Sequence, residues 1–588
     1  MTTGTRFDPV LMAVLAKRLD TITREMSNTL LRTGRSSVLN TARDFSCTVL
    51  RADGALISAV DGLPIHVVGA RLLGESLKRL HPEVRAGEAY LHNDPYDGNT
   101  HHADFNVLVP VVHDGVHLFT VVAKAHQADC GNSQPTTYAA YARDAYEEGA
   151  INFPCVLVQR DNEDVGDIIR MCERRIRAPA QWYGDYLATL GAARIGERRL
   201  NELVEEIGAD DLQAFCEAWL DYSERRMVAA IGQLAAGTVI GEGAHDPVPE
   251  IGAEIPLRAA ITVRPDEGYI DVDLRDNIDA IPAGYNLSEA CSLGTALIGV
   301  LNQIPSDVPR NDGAFRRIRV ALRENCIAGI PRHPTSCSVS TTNVADRMVN
   351  IVQMAFADLG EGHGHAEGGL GIGASYAVIS GLDARHDDRA YVNQLIMGST
   401  GGPASPQTDG WIGWGIPVDG GVIYRDSVEI VERKYPLLIH EVRLRQDGEG
   451  AGRRRGGPGA TVSYGPRHRP VAAAFLLDGA ANPPRGVRGG GPSAPNETYL
   501  IDADGERVEV PSAGQVDVQP GERIVHNACG GGGYGPPTER EPHLVLADVR
   551  AGIVSIQRAR DVYGVALTDD EVPTIDKEIT RELRGVHA

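Results

Sequence analysis

Six of the 18 histidines (His92, His101, His102, His113, His117 and His126) fall between residues 92 and 130, where an even spread would place about one. Asp94, Asp97, Asp104 and Asp129 share that stretch. Imidazole with carboxylate is the ligand set of a divalent ion such as Mn, Fe or Zn, and it supports hydrolytic or oxyanion-stabilising chemistry. The chain has no CxxC pair, which disfavours a structural zinc site.

The element that must position these groups is a hairpin. Residues 104–126, DFNVLVPVVHDGVHLFTVVAKAH, hold two β-rich runs around Asp114-Gly115, a dipeptide suited to a two-residue type I′ turn. A regular ladder from that turn sets His126 opposite Ala103, with His101 on the same face and diagonal to it. Asp104 then has the opposite parity and joins the site only if the chain bends or bulges. Gly98-Asn99 and Pro110 offer a motive for that. Spacing alone leaves open whether the histidines are ligands or satisfied strand residues.

The rest of the chain reads as α+β and multidomain. Asp8-Pro9 is a helix start, and Val10, Val14, Leu15, Leu19, Ile22, Met26 and Leu30 continue it to Gly34. A strand is expected over Phe45–Leu50, a second helix from Pro64 through Leu80, and helices over 164–237. The Gly/Pro-rich run 241–256 suggests a boundary, and LRAAITV-RPDEG-YIDVDL another hairpin. The expected division is an N-terminal α+β domain with the metal site (1–240), a central α/β domain (241–420) and a β-rich C-terminal domain (421–588).

A net charge of −22 argues against a nucleic-acid binder, which needs a basic stripe. No apolar run is long enough to span a membrane, and no secretory leader is evident. Nine scattered cysteines do not resemble a disulfide framework, so a reducing cytoplasm is the expected location. Cys47 and Cys130 adjoin the candidate ligands but read more readily as buried hydrophobes than as nucleophiles. There is no P-loop. GGGGYGPP (530–537) reads as packing or a tight turn, and GRRRGG (452–457) as a solvated turn.

HNDPYDGNTHHAD (92–104) followed by AHQADCGN (125–132) resembles the hydantoinase B/oxoprolinase family, which includes subunits of ATP-dependent acetone and acetophenone carboxylases. ARDFSC (42–47), YEEGAINFP (146–154), GDYLATLGAARIGERRL (184–200), GSTGGPASPQTDG (398–410), SVEIVERKYP (427–436) and ADVRAGIVS (547–555) extend the resemblance along the chain. THHAD and DCGN depart from the hydrophobic-Pro and Gly-Gly steps usual in relatives.

The resemblance implies a divalent ion (Mn, Zn or Fe) held by His101, Asp104 and His126, with Asp44 as an acidic ligand. Asp129, Asn93 and Asp94 would orient the imidazoles, and Asp44 or Asp129 could serve as general base. It further implies an A-type partner that binds ATP, in a hetero-oligomer such as (AB)2. The expected activity is ATP-dependent hydrolysis of a cyclic amide (hydantoin, 5-oxoproline or lactam). The alternatives are a ketone-carboxylase subunit and a non-catalytic scaffold.

Overall fold

The computed structural model describes residues 7–60, 62–568, 570 and 572–585. It is a mixed helix-and-sheet protein whose chain groups into two compact units, each built from separate segments: 1–238, 260–341 and 390–394 in the first, and 239–259, 342–389 and 395–588 in the second. The expected boundary at 240 falls beside the first crossing, at Thr238/Val239, while residues 241–420 are divided between both units. The run 241–256 is not an open linker. It carries most of strand Gly237–Val248 and the start of strand Ala253–Arg264. The expected hairpin after it forms, with Tyr269 opposite Arg264.

In the first unit, helix α1 (Pro9–Thr33) begins where Asp8 accepts hydrogen bonds from the backbone N–H groups of Val10 and Leu11, at 2.8 and 3.0 Å. Leu15, Leu19, Ile22, Met26 and Leu30 are buried as their spacing requires, but Val10 and Val14 point to solvent. The expected helix over 64–80 is two, Pro64–Val67 and Ala70–Leu80, interrupted at Val68-Gly69.

Seven strands form one sheet: β1 (Phe45–Arg51), β2 (Leu56–Ala59), β3 (Ala89–His92), β4 (Asp104–His113), β5 (Val116–His126), β6 (Val156–Arg160) and β7 (Glu163–Asp164), in the order β2-β1-β5-β4-β3-β6-β7. One face is apolar. Phe45, Cys47, Leu91, Phe105, Val107, Ala123 and Ala125 join α1 and helices Pro179–Ile207 and Ala209–Ile231 in a single core. Each large side chain buried there contributes about 1.5–3 kcal/mol. Alternation along the strands leaves the other face to the polar residues.

In the second unit, one run of paired strands is Val378–Asp383, Val471–Leu476, Ala513–Val518. A five-stranded sheet is ordered Leu437–Leu444, Ala460–Pro466, Arg523–Asn527, Glu497–Ile501, Arg507–Glu509. GRRRGG is not a solvated turn throughout: Arg455 is buried and its Nε lies 2.8 Å from Asp548 Oδ1.

Candidate metal centre

The β4–β5 turn has positive φ at both central residues, 49° at Asp114 and 78° at Gly115, as a type I′ turn requires. It pairs His113 with Val116 and Val112 with His117, the expected register. Between Val112 and Val111, beside Pro110, the ladder shifts by one residue, and at its far end Asp104 faces His126. The expected Ala103–His126 pairing is therefore corrected. One bulge reverses the parity of everything beyond it and moves Asp104 onto the face of His126.

Two polar rungs result. In the first, Asp104 pairs with His126, whose N–H donates to the Asp44 carbonyl at 3.1 Å. In the second, Ser46, Lys124, Asn106 and His92 lie side by side across β1, β5, β4 and β3. His101 stands in the turn before Asp104, not in the ladder, and its ring centroid is 5.1 Å from that of His126.

Among the described residues, one atom each from His101, Asp104 and His126 lie within 4.8 Å of one another, and all three residues are buried. Asp104 Oδ1 is 3.1 Å from both His101 Nε2 and His126 Nδ1. His101 Nδ1–H donates to the Ser338 carbonyl at 2.9 Å, which leaves the lone pair of Nε2 facing the cluster. That nitrogen is buried and makes no well-aligned hydrogen bond, although Asp104 Oδ1 lies 3.1 Å away. A buried acceptor is rarely left unmade. Two imidazole nitrogens and a carboxylate oxygen around one point fit a borderline divalent ion.

The electrostatics agree. Burial pushes the His101 imidazolium down, but the facing Asp104 outweighs it, with the Ser338 carbonyl and Asp44 behind, and the pKa is raised. Burial would likewise raise Asp104, yet His101 and His66 hold it well below the ordinary carboxylate range. A pocket that favours a proton on imidazole favours any cation.

His66 is the residue that sequence reasoning missed. Its Nε2 lies 3.3 Å from Asp104 Oδ2 and 3.8 Å from Asp44 Oδ1, and its Nδ1 is 3.4 Å from Ser46 Oγ. It comes from helix Pro64–Val67, outside the dense 92–130 stretch, and no spacing pointed to it. Asp44 is thus at the edge of the cluster, on the residue after Arg43, whose φ is 59°.

Asp129 is engaged elsewhere. Its Oδ1 accepts from Gly131 N–H at 3.0 Å and Arg177 Nη1 at 3.1 Å, and its Oδ2 from Arg177 N–H at 2.6 Å. Asn93 braces the loop, donating to the carbonyls of His102 and Ile151 at 2.7 and 2.8 Å. Beside the cluster a second buried pair forms, His102 Nδ1 lying 3.2 Å from Glu148 Oε1. Tyr138 lies alongside, its ring centroid 6.4 Å from that of His126. All nine cysteines are free and buried. Cys47 faces the helices, where burial pushes its thiol up to about 12, and burial holds Cys130 well above its usual value, so both are thiols at neutral pH. No described helix is long and apolar enough to cross a membrane.

A mixed helix-and-sheet fold with a buried imidazole–carboxylate centre is the class these features define. Residues 8–537 match the family model for hydantoinase B/oxoprolinase, and the chain belongs to that family. It is 30% identical to the caprolactamase subunit beta of Pseudomonas jessenii, over 99% of each chain. The crystal structure of the ATP-dependent caprolactamase from Pseudomonas jessenii superposes with a TM-score of 0.87, at 28% identity, covering 99% of this chain and 100% of that one. A nucleotide-free acetone carboxylase structure shares the fold, with a TM-score of 0.85 at 18% identity, covering 98% and 82% respectively.

Proposed function

We propose that the chain is the metal-bearing B-type subunit of an ATP-dependent cyclic-amide hydrolase that opens a lactam, hydantoin or 5-oxoproline ring with an ATP-binding A-type subunit. The observation that carries this reading is the full-length similarity to a caprolactamase beta subunit, in a chain that has a buried His101–Asp104–His126 cluster.

An amide carbonyl resists attack because nitrogen donates into it, and ATP-dependent phosphorylation of its oxygen by the partner would remove that resistance. His101, Asp104 and His126 would hold the divalent ion, with Asp44 or His66 adjacent. A bound divalent ion supplies Lewis-acid polarisation and makes water acidic enough to react near neutral pH. The chain's own residues do the rest. The Ser338 carbonyl fixes the His101 tautomer. The apolar sheet face packs on the helices behind the centre, and Asp44, outside the three-residue cluster, would accept a proton. Asp129, held by Arg177, serves as a brace for the loop after His126 and not as the base.

A ketone-carboxylase subunit is the second reading, favoured by the fold shared with acetone carboxylase. The deciding experiment is co-expression with an A-type subunit and an ATPase screen. Turnover with lactams, hydantoins or oxoproline supports the hydrolase; a response only to ketones with bicarbonate overturns it. A complex that binds no metal and answers to neither substrate class would make the chain a scaffold.

A further inference from the structure

Lys124 lies two residues before His126 on the same face of β5, between Ser46 and Asn106. It is only 3% exposed. Its Nζ donates to Thr100 Oγ1 at 3.1 Å, and that hydroxyl in turn donates to Asp104 Oδ2. A buried ammonium is costly unless an anion and good hydrogen bonds compensate it. Here the anion is Asp104, reached through one hydroxyl. The chain of bonds divides the carboxylate: Oδ2 is held by Thr100 and faces His66, while Oδ1 faces the nitrogens of His101 and His126. Thr100 is itself seated, since its carbonyl meets Cys291 Sγ at 3.7 Å.

We propose that Lys124 and Thr100 are positioning residues that reserve Asp104 Oδ1 as a single-oxygen ligand beside two imidazoles. This inference rests on the metal-centre reading. With Oδ2 engaged by Thr100 and faced by His66, ligation through Oδ1 alone is favoured over a clasp through both oxygens, the mode that suits large oxygen-seeking ions such as Ca²⁺. One oxygen with two nitrogens suits Zn²⁺, Mn²⁺ or Fe²⁺. The pair therefore sets both affinity and selectivity of the centre while touching no ion.

The test is chelator competition for Zn²⁺ and Ca²⁺ with the full-length chain, metal-stripped and reloaded, read beside the unfolding temperature of each metal-free variant. Thr100→Val, nearly isosteric, and Lys124→Met should each weaken Zn²⁺ binding roughly 10–100-fold, the usual effect of removing a partner that orients a ligand. Both should narrow the preference for Zn²⁺ over Ca²⁺. Thr100→Ser keeps the hydroxyl and should bind like wild type. The double variant Thr100→Val/Lys124→Met should be no worse than the weaker single one, because both break the same chain. Should Lys124→Met not fold, the Val and Ser variants at Thr100 decide. Folded Thr100→Val with wild-type Zn²⁺ affinity overturns the inference. His101→Ala separates the two levels: if it too binds Zn²⁺ as wild type does, the metal-centre reading itself has failed.

Discussion

In the sheet of the first unit, neighbouring strands present side chains that carry chemistry. In the second unit, the segments around 401–402, 456–457 and 530–533 meet through bare backbone. Gly457 N–H donates to the Gly402 carbonyl and Gly531 N–H to the Gly457 carbonyl, both at 2.9 Å, and Gly450 N–H to the Gly531 carbonyl at 2.8 Å. A methyl group at Gly401 or Gly456 would sit 1.8 Å from a carbonyl oxygen, that of Gly457 or Gly531. The N–H groups of Gly531, Gly532 and Gly533 are spent on the backbone carbonyls of Gly457, Glu367 and Gly491, so these donors are not free to cradle a phosphate. The two regions tolerate change differently. A side-chain site loses function when a residue is replaced and keeps its fold, whereas a backbone bundle loses its fold first.

The sharpest way to break that contrast is Gly401→Ala. No flexible side chain can yield to the new methyl, so the change should cost at least about 3 kcal/mol, seen as lost soluble protein or a collapsed unfolding temperature. His101→Ala should do the reverse. Bound metal, measured on purified protein at about one ion per chain in wild type, should fall to background, with the fold intact by circular dichroism.

Histidine titration distinguishes the regions in sign. In the second unit His526 is fully enclosed, and burial, with the charge of Arg445, pushes it down to about 3. The unfolded chain, titrating near 6.5, then binds more protons below that pH. Stability present above 6.5 is lost as pH falls toward 3, by up to about 1.4 kcal/mol per pH unit. His101 in metal-free protein has a raised folded value. Its contribution is present below 6.5 and disappears as pH rises through that folded value. Unfolding temperatures across pH for wild type, His526→Gln and metal-free His101→Gln check both slopes; a His526→Gln profile as acid-sensitive as wild type would remove the first.

The smallest effect expected is at Gly115, where a methyl group meets nothing within 4 Å and only the positive φ of 78° resists it. Gly115→Ala should cost about 1 kcal/mol by chemical denaturation. The same substitution at Gly401 and Gly115 thus separates packing from backbone strain.

Much of the site was legible before the fold was known. The dense histidines and aspartates of 92–130 and the turn at Asp114-Gly115 are legible in residue type and spacing, whereas the set His101, Asp104 and His126 is what the family resemblance implies; the structure brings those three side chains together. What could not be read was the path that joins them. Pro110 offers a motive for a bulge, but nothing in the neighbouring valine pair says that the ladder shifts between Val111 and Val112, and that shift decides which face Asp104 occupies. Val10 and Val14 fit the helical period of α1 and still lie in solvent, because a period shows which residues share a face and not how far the covering layer reaches.

Local chemistry in the chain determined the helix that starts at Asp8-Pro9 and the type I′ turn with its two left-handed residues. These depend on a few neighbouring residues and their own φ, ψ preferences. Only the tertiary structure decided that His66 arrives from a separate helix, that Asp129 is spent on Arg177, and that Lys124 reaches Asp104 through Thr100. Each of those is a contact between segments distant in sequence, set by strand register and by what burial will allow a charge to do without.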